Sequence, residues 1–455
     1  MPSASLSSWL ELRRKLCDMA VREIPWRDSQ EWIYAEGALR HRSGGFFSIV
    51  GVEAEAGGRI TLHQPLIDQP EIGILGFLMQ RRGMQPHEPV PHLLIQAKPE
   101  PGNIGLSQAA PSVQATKSNY QRLHHGKATP FLAYFTGHDQ AIVHADSLQS
   151  EQGTRFLGKY NRNMTVEVPP DLDLPCDSSY LWAPMPEVCE LLVSDFQINT
   201  DARSVLATSD WTALAPPEGP FARWSGQGGF GEGLLRSYRA GATEQLSSDA
   251  AIVERLESIR RAYPFTVRVV PLDDQQGWLR GEEPRLLGPA GSFDVRQVAV
   301  SCSEREVQTW DQPLVAQERE GTAVLLAREI GGVLHFLFRC RPEIGFREGF
   351  QYGPALQDAG GAPSPIPALD AEEQQLETLS LQASPVLSNL HSDEGGRFYR
   401  SVARYSILLL GEAEPLPSSD TLSWMTLGQI ARLVHRQGLF SNEARSLVSM
   451  LLAYL

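Results

Sequence analysis

The sequence predicts a mixed α/β fold of the α+β kind, built twice: a tandem duplication of one module with a central mixed sheet and flanking helices. Three observations predict it. The chain repeats itself in collinear order, each copy carries short apolar runs of β type, and each copy opens and closes on helical segments.

The repeat is read first, because missing one mis-assigns the whole fold. Gln64-Pro65-Leu66 returns as Gln312-Pro313-Leu314, at an offset of 248. Pro25, Trp32 and Phe47 return as Pro271, Trp278 and Phe293 at 246. Pro99-Glu100 and Gly102 return as Pro342-Glu343 and Gly345 at 243. A last block, Ser150 to Leu206, matches without a gap at 242. It pairs Gly153, Arg155, Phe156, Arg162, Trp182 and Arg203 with Gly395, Arg397, Phe398, Arg404, Trp424 and Arg445. The order is kept and the gaps fall in loop-like stretches, which chance does not produce. The expected units are 1–206 and 251–455, joined by a Pro/Gly/Ser-rich linker at 207–250. Gly226, Gly228 and Gly231 in that linker have G-x-G-x-x-G spacing. No apolar strand precedes them, so a flexible glycine loop is expected and not a dinucleotide site.

Within each copy the elements follow in order. Residues 8–21 and 249–262 read as opening helices. FFSIVGVEAE and SFDVRQVAVS read as strands, followed by ILGFLMQ and PHLLIQAK in the first copy and TAVLLARE and VLHFLFRC in the second. Runs of four to eight Val, Ile, Leu and Phe favour strands. Near the C-terminus Thr426 and Gln429 form a capping-box pattern ahead of Ile430, Leu433 and Val434. Ser441 and Asn442 are placed to cap a final helix.

Composition narrows the function classes. With 40 Lys and Arg against 54 Asp and Glu, the net charge is −14, unsuited to nucleic acid or an anionic membrane surface. No run of about 18 apolar residues exists to span a membrane. The N-terminus reads as an amphipathic helix and not a signal peptide, so a cytoplasmic protein is expected. Five scattered cysteines show no zinc spacing.

The segment 96–127, QAKPEPGNIGLSQAAPSVQATKSNYQRLHHGK, is the most unusual in the chain. Pro99 and Pro101 stiffen the backbone around Glu100, and Gly102 permits a turn before Asn103. Lys98 and Glu100, two apart in an extended segment, face the same side. A cation and a carboxylate on one stiff loop suit acid/base chemistry. The second copy keeps Pro342, Glu343, Gly345 and Gln357, but has Arg341 for Lys98, Phe346 for Asn103 and Ala359 for Thr116. One working site per chain is therefore expected, in the first copy, with a degenerate pocket in the second. RFLGKYNRNM adds Arg155, Lys159, Tyr160 and Arg162, cations suited to a diphosphate. His124 and His125 are adjacent, so on a strand at most one lines a site. Trp32, Trp278 and Phe47 fit a core, with stacking on a nucleobase as the alternative.

GFF-x-I-x-GV, KPEPGN, VQATKSNY, KYNRN, the tandem QPL and EGGRFY-x(5)-RY together resemble the NDP-hexose 2,3-dehydratases, across nearly the whole chain. The sequence departs from the family pattern at His124-His125-Gly126, where one His and two glycines are expected. Ala403 also stands opposite Asn161 in the repeat. The resemblance implies tandem Nudix-hydrolase-like modules, a homodimer, no metal or organic cofactor, and a dTDP-4-keto-6-deoxy-D-glucose substrate. It also implies coupling to a downstream 3-ketoreductase. A Nudix pyrophosphohydrolase is not implied, because the Arg-Glu pairs at 305–306, 328–329 and 347–348 lack the further carboxylates that hold magnesium. The implied reaction needs a base for the C-3 proton, an acid for the leaving hydroxyl and a donor for the enolate. Glu100 is expected as base or acid, Lys98 and Asn103 as donors, and Tyr120 as the alternative acid. Trp32, His63, Gln64, Gln108, Gln114, Thr116, Ser118 and Asn119 are expected to hold sugar and nucleotide. Arg155, Lys159, Tyr160 and Arg162 would face the diphosphate. The alternative is a non-catalytic nucleotide-sugar binding protein on the same fold.

Overall fold

The computed structural model describes residues 5–83, 89–116, 129–137, 141–172, 174, 177–275, 277–280, 285–288, 292–305, 307–359 and 364–455. In the first copy, helix α1 (Leu6–Leu16) precedes β1 (Ala20–Glu23), β2 (Trp32–Ala35), β3 (Ala38–His41), β4 (Ser48–Ala56) and β5 (Arg59–Asp68). There follow β6 (Gly73–Arg82), β7 (Val90–Pro99), β8 (Ser107–Ala110), β9 (Val113–Ala115), β10 (Ile142–Ser150), β11 (Tyr160–Glu167) and β12 (Tyr180–Pro184). Helices α2 (Met185–Leu192) and α3 (Thr200–Ala207) close the copy, and α4 (Trp211–Leu214) and α5 (Gly229–Arg239) follow. The second copy opens with α6 (Asp249–Ala262), β13 (Phe265–Val270), β14 (Leu279–Arg280), β15 (Arg285–Leu287), β16 (Phe293–Ser301) and β17 (Thr309–Gln317). It continues with β18 (Gly321–Ile330), β19 (Val333–Pro342), β20 (Phe350–Pro354), β21 (Leu356–Asp358), α7 (Asp370–Ser380), β22 (Ser384–Ser392), β23 (Val402–Leu409) and β24 (Leu422–Thr426). Helices α8 (Leu427–Leu433) and α9 (Asn442–Leu451) end it. This is a mixed α/β fold, as expected.

The two large sheets repeat one topology. In the first copy the order is β10-β11-β6-β7-β12, with β9 added to β6 and β8 to β7. In the second it is β22-β23-β18-β19-β24, with β21 added to β18 and β20 to β19. Each contains one parallel pair, β11 on β6 and β23 on β18. Their central strands are apolar on both faces: one face of each joins the shared core with the closing helices, and the other is covered by Phe131, Leu132 and Phe135 in the first copy and by Leu376 and Leu379 of α7 in the second.

The smaller sheets are exchanged between copies. β13, from the second copy, lies antiparallel on β4, with Phe265 opposite Ala56. β1, from the first, lies antiparallel on β16, with Ala20 opposite Ser301. Each copy's first strand thus completes the other's sheet. The sequence boundaries 1–206 and 251–455 are not boundaries in space. One apolar core draws on both, with Phe77 and Leu93 beside Phe336, Phe338 and Leu451.

The closing helices α3 and α9 lie against each other at the seam. Arg203 donates from Nε to Ser446 Oγ (3.3 Å), and Arg445 donates from Nε to Ser204 Oγ (2.8 Å). Both guanidiniums are fully buried and also reach the end of the other copy's strand, at Ser392 O and Ser150 O. The capping box is present, with Thr426 and Gln429 each accepting from the other's backbone N–H, and Ser441 caps α9.

The stretch 207–250, expected as a linker with a flexible glycine loop, is folded. Its glycines serve close packing in α5. A Cβ on Gly231 would stand 2.4 Å from the Trp224 indole, and one on Gly233 would stand 2.6 Å from Leu334. Leu234 and Leu235 are buried in the shared core. Gly231, expected in a flexible loop, instead lets a helix approach its neighbours.

Candidate active site at the seam between the copies

Lys98 and Pro99 end β7, and the chain then turns through Glu100–Gly105 into β8. The stiff, extended Lys98-Pro99-Glu100 puts both charges on one side, with Lys98 Nζ 3.2 Å from Glu100 Oε1. Gln114 on β9 donates to the same oxygen at 3.2 Å, and accepts in turn from Asn199 Nδ2 at 3.1 Å. Glu100 is only 3% exposed, and its Oε2 is buried without a hydrogen-bond partner. A buried carboxylate oxygen left unpaired is costly, so it marks a group kept for a ligand or a proton. Asn103 spends its amide on its own turn, donating to Lys98 O (3.3 Å) and Leu106 O (3.0 Å), while its Oδ1 stays unpaired.

This turn docks on the second copy. Gly102 N–H donates to Gly395 O (2.8 Å), and Gly102 O accepts from Arg400 N–H (2.9 Å). A Cβ on Gly102 would fall 1.6 Å from Phe398 O, so only glycine fits there. The contact brings the segment Glu394–Arg397 to the mouth of the Lys98–Glu100 pair. Asp201, in the first turn of α3, is buried with Oδ1 unpaired. Its carboxyl is held well above the usual range by burial, reinforced by the charges of Glu394, Glu151 and Glu100. Glu151 is pushed up to about 7 by burial and then by Glu394. Burial brings the Lys159 ammonium down to about 8, against the pull of Glu151. Glu100 thus sits in a cluster of the acids Asp201, Glu151 and Glu394 interleaved with the cations Lys98, Lys159 and Arg397. Such an environment holds protons on carboxyls and can both remove and deliver them.

The other expected residues divide. Thr116 follows β9 and lies half-buried near the site. Gln108 is buried and donates to Ser392 Oγ (2.7 Å), which ties the copies together. Lys159 donates to Glu71 O and belongs to the acid cluster. Arg155, by contrast, faces the second copy's pocket. It donates to Ala359 O and lies 4.0 Å over the Phe293 ring. Tyr160 OH donates to Glu348 Oε2 (2.7 Å), and Arg162 pairs with Asp146 on exposed surface (2.6 Å). Trp32 is buried among Phe47 and Ile49 and donates to Asp311 O (2.9 Å), which makes it core. His63 pairs with Glu53 across β4 and β5 (3.2 Å). Gln64 holds Thr154 O (2.9 Å). Ser118, Asn119, Tyr120, His124 and His125 lie outside the described residues. Sequence reading missed Asn199, Asp201, Glu151 and the segment Glu394–Arg397. Asp201 and Glu394 sit far from the polar segment in sequence, and only the repeat alignment could have flagged them.

The equivalent site of the second copy opens into a small pocket lined by Gln152, Arg155, Gln357, Asp393 and Glu443. There Gln357 donates to Glu343 (3.0 Å), as Gln114 does to Glu100. Arg341, in the place of Lys98, is tied to Glu373 (2.8 Å) and Gln357 O (3.1 Å). The polar set is therefore partly used up by the fold. Among the described residues no group of three His, Cys, Asp or Glu is arranged to hold a metal ion, and no helix is long and apolar enough to cross a membrane.

The chain is 32% identical over 99% of its length, and 91% of the relative's, to dTDP-4-dehydro-6-deoxy-alpha-D-glucopyranose 2,3-dehydratase of Saccharopolyspora spinosa. It is 35% identical to the protein of that name from Streptomyces violaceoruber, covering 98% of this chain and 96% of the relative. The protein of that name from Amycolatopsis orientalis is 33% identical, covering 99% and 90%. Among solved structures, C. elegans Ap4A hydrolase matches 26% of this chain and 86% of its own (12% identity, TM-score 0.19). A Nudix hydrolase from M. smegmatis, RenU, matches 29% and 83% (19% identity, TM-score 0.20). The model of the NDP-hexose 2,3-dehydratase family matches residues 3–208 and again 249–451, once for each copy. The duplicated chain, with its Lys98–Glu100 pair lodged at the seam, belongs to the NDP-hexose 2,3-dehydratase family.

Proposed function

We propose that this chain is a hydro-lyase of deoxysugar biosynthesis, acting on dTDP-4-keto-6-deoxy-D-glucose. It eliminates water across C-2 and C-3 to give dTDP-3,4-diketo-2,6-dideoxy-D-glucose. The observation that carries the reading is the buried Lys98–Glu100 pair with one free carboxylate oxygen. The 4-keto group acidifies the C-3 hydrogen. Glu100 takes that proton, and Lys98 offsets the charge that develops on the C-4 oxygen. The enolate electrons then form the C-2/C-3 double bond as the C-2 hydroxyl departs. The enol tautomerises to the 3,4-diketone. No net redox change occurs. The working unit is a cytoplasmic homodimer that passes its reactive diketone to a 3-ketoreductase.

The test is incubation with dTDP-4-keto-6-deoxyglucose without a reductase. Loss of substrate, with release of dTDP and an ultraviolet-absorbing degradation product, is expected. Glu100→Gln and Lys98→Met should still bind dTDP, with turnover down about 100-fold or more. Unchanged substrate with the wild-type protein would sink the enzyme reading in favour of a binding protein.

A further inference from the structure

The Lys98–Glu100 site and its counterpart around Glu343 are related by the repeat, so each can be read against the other. Each pocket is completed by a segment from the opposite copy. The first pocket meets Glu394-Gly395-Gly396-Arg397, and the second meets Gln152-Gly153-Thr154-Arg155. The docking is the same on both sides. Gly102 N–H donates to Gly395 O at 2.8 Å, and Gly345 N–H donates to Gly153 O at 2.7 Å. The supporting strands agree as well. Gln312 Nε2 holds Gly396 O at 2.8 Å, and Gln64 Nε2 holds Thr154 O at 2.9 Å. Within these frames two positions differ in chemistry. A carboxylate at 394 faces a carboxamide at 152, and a glycine at 396 faces a threonine at 154.

Both differences bear on the same point in space. A Cβ placed on Gly396 would stand 2.9 Å from Glu394 Oε1 and 3.6 Å from Glu100 Oε1. The missing side chain leaves the gap between these two carboxylates open. Among the described residues no side chain donates a hydrogen bond to Glu394, whereas Glu100 already receives Gln114 and Lys98. We propose that the second copy supplies half of the reaction chemistry: Glu394 is the proton donor to the departing C-2 hydroxyl, opposite Glu100 as the base at C-3, and Gly396 is the opening that admits the sugar between them.

This rests on the dehydration reading above and adds a residue to it. The proton count closes. The Glu100 carboxylate gains the C-3 proton, the C-3–H electron pair becomes the enolate, and that pair forms the C-2/C-3 bond. The C-2–O bond breaks, the oxygen takes the Glu394 proton, and water leaves. The charged groups around Glu394 are Arg397, Glu100, Lys98 and Lys159, together with Asp201 and Glu151. Burial and the negative charge of Glu100 raise its carboxyl above the usual range, and the three cations oppose this. The net direction is upward, the direction a general acid requires.

The test separates the two proton transfers. Wild-type, Glu394→Gln and Glu100→Gln proteins are incubated with dTDP-4-keto-6-deoxyglucose in D2O. Elimination is followed by substrate loss, and C-3 exchange by NMR of the remaining substrate. Glu394→Gln should eliminate about 100-fold more slowly or worse, yet place deuterium at C-3 faster than the enzyme-free control. Glu100→Gln should do neither. Gln already stands at the equivalent position 152, so the loop accepts it. As a second variant, Gly396→Thr copies the sister loop and should bind dTDP while losing turnover to a similar extent. Wild-type elimination by Glu394→Gln or by Gly396→Thr overturns the proposal. So does a Glu394→Gln protein that loses C-3 exchange together with elimination. A wild-type protein that leaves the substrate untouched refutes the dehydratase reading itself, and this proposal with it.

Discussion

Gly102→Ala probes the joint between the copies, and the structure sets its size. The new methyl would stand 1.6 Å from Phe398 O and 2.6 Å from the Phe398 carbonyl carbon. Ordinary contact requires the segment 395–400 to retreat by roughly 2 Å. That breaks both backbone hydrogen bonds at Gly102, to Gly395 and from Arg400. Overpacking costs about 1–3 kcal/mol and each lost bond about 1 kcal/mol, so the variant should lose about 4 kcal/mol of stability. Gly345→Ala is the internal control. Its methyl would meet Phe156 O at 1.8 Å and would break the bonds from Gly345 to Gly153 and from Gly158 to Gly345. Denaturant midpoints should fall similarly for both. Under conditions where both remain folded, turnover should collapse in Gly102→Ala, which displaces Glu394 from Glu100, and survive in Gly345→Ala. A Gly102→Ala protein within about 1 kcal/mol of wild type would refute the packing argument. Equal loss of turnover in the two variants would refute the assignment of the working site to the first copy.

Arg445→Met should cost about 3–5 kcal/mol, because it strands Phe440 O, Ser204 Oγ and Ser150 O and leaves Glu151 and Glu443 without their buried cation. Chemical denaturation reads this, and Arg445→Lys should restore little, since the forked donor is lost. Burial, then the charge of Glu443, pushes Glu343 up to about 8. A raised carboxyl means that the folded state binds the extra proton, so this contribution is full at acid pH and lost as pH rises through about 8. Stability should therefore fall between about pH 4.5 and 8 and level off above that, and Glu343→Gln should flatten that slope; an unchanged slope would exclude Glu343 as its source. Finally, residues 1–206 and 251–455 expressed separately should fail to fold, because each lacks a strand that the other provides. Two well-dispersed NMR spectra from the isolated halves would refute the exchange.

Much of the fold was legible. Apolar runs marked β4, β6, β7, β16, β18 and β19, and side-chain caps marked α8 and α9, because these signals act within a few residues of chain. The strands β1 and β13 were not legible. They are short, and their partners lie hundreds of residues away, so pairing energy and not local pattern decides them. In the site, Lys98 and Glu100 were legible because two proline-flanked neighbours in an extended chain must face one way. Arg155 was misplaced toward the first pocket, because sequence nearness was taken for spatial nearness. The exchanged sheets carry it to the second.

The sequence alone determined the duplication, the element types and the polar loop from Lys98 to Gln114, since each depends on residue order and short-range sterics. The tertiary structure decided which copy completes which pocket. That outcome depends on a reciprocal docking in which Gly102 meets Gly395 and Gly345 meets Gly153, contacts between residues more than 190 positions apart that no local pattern encodes.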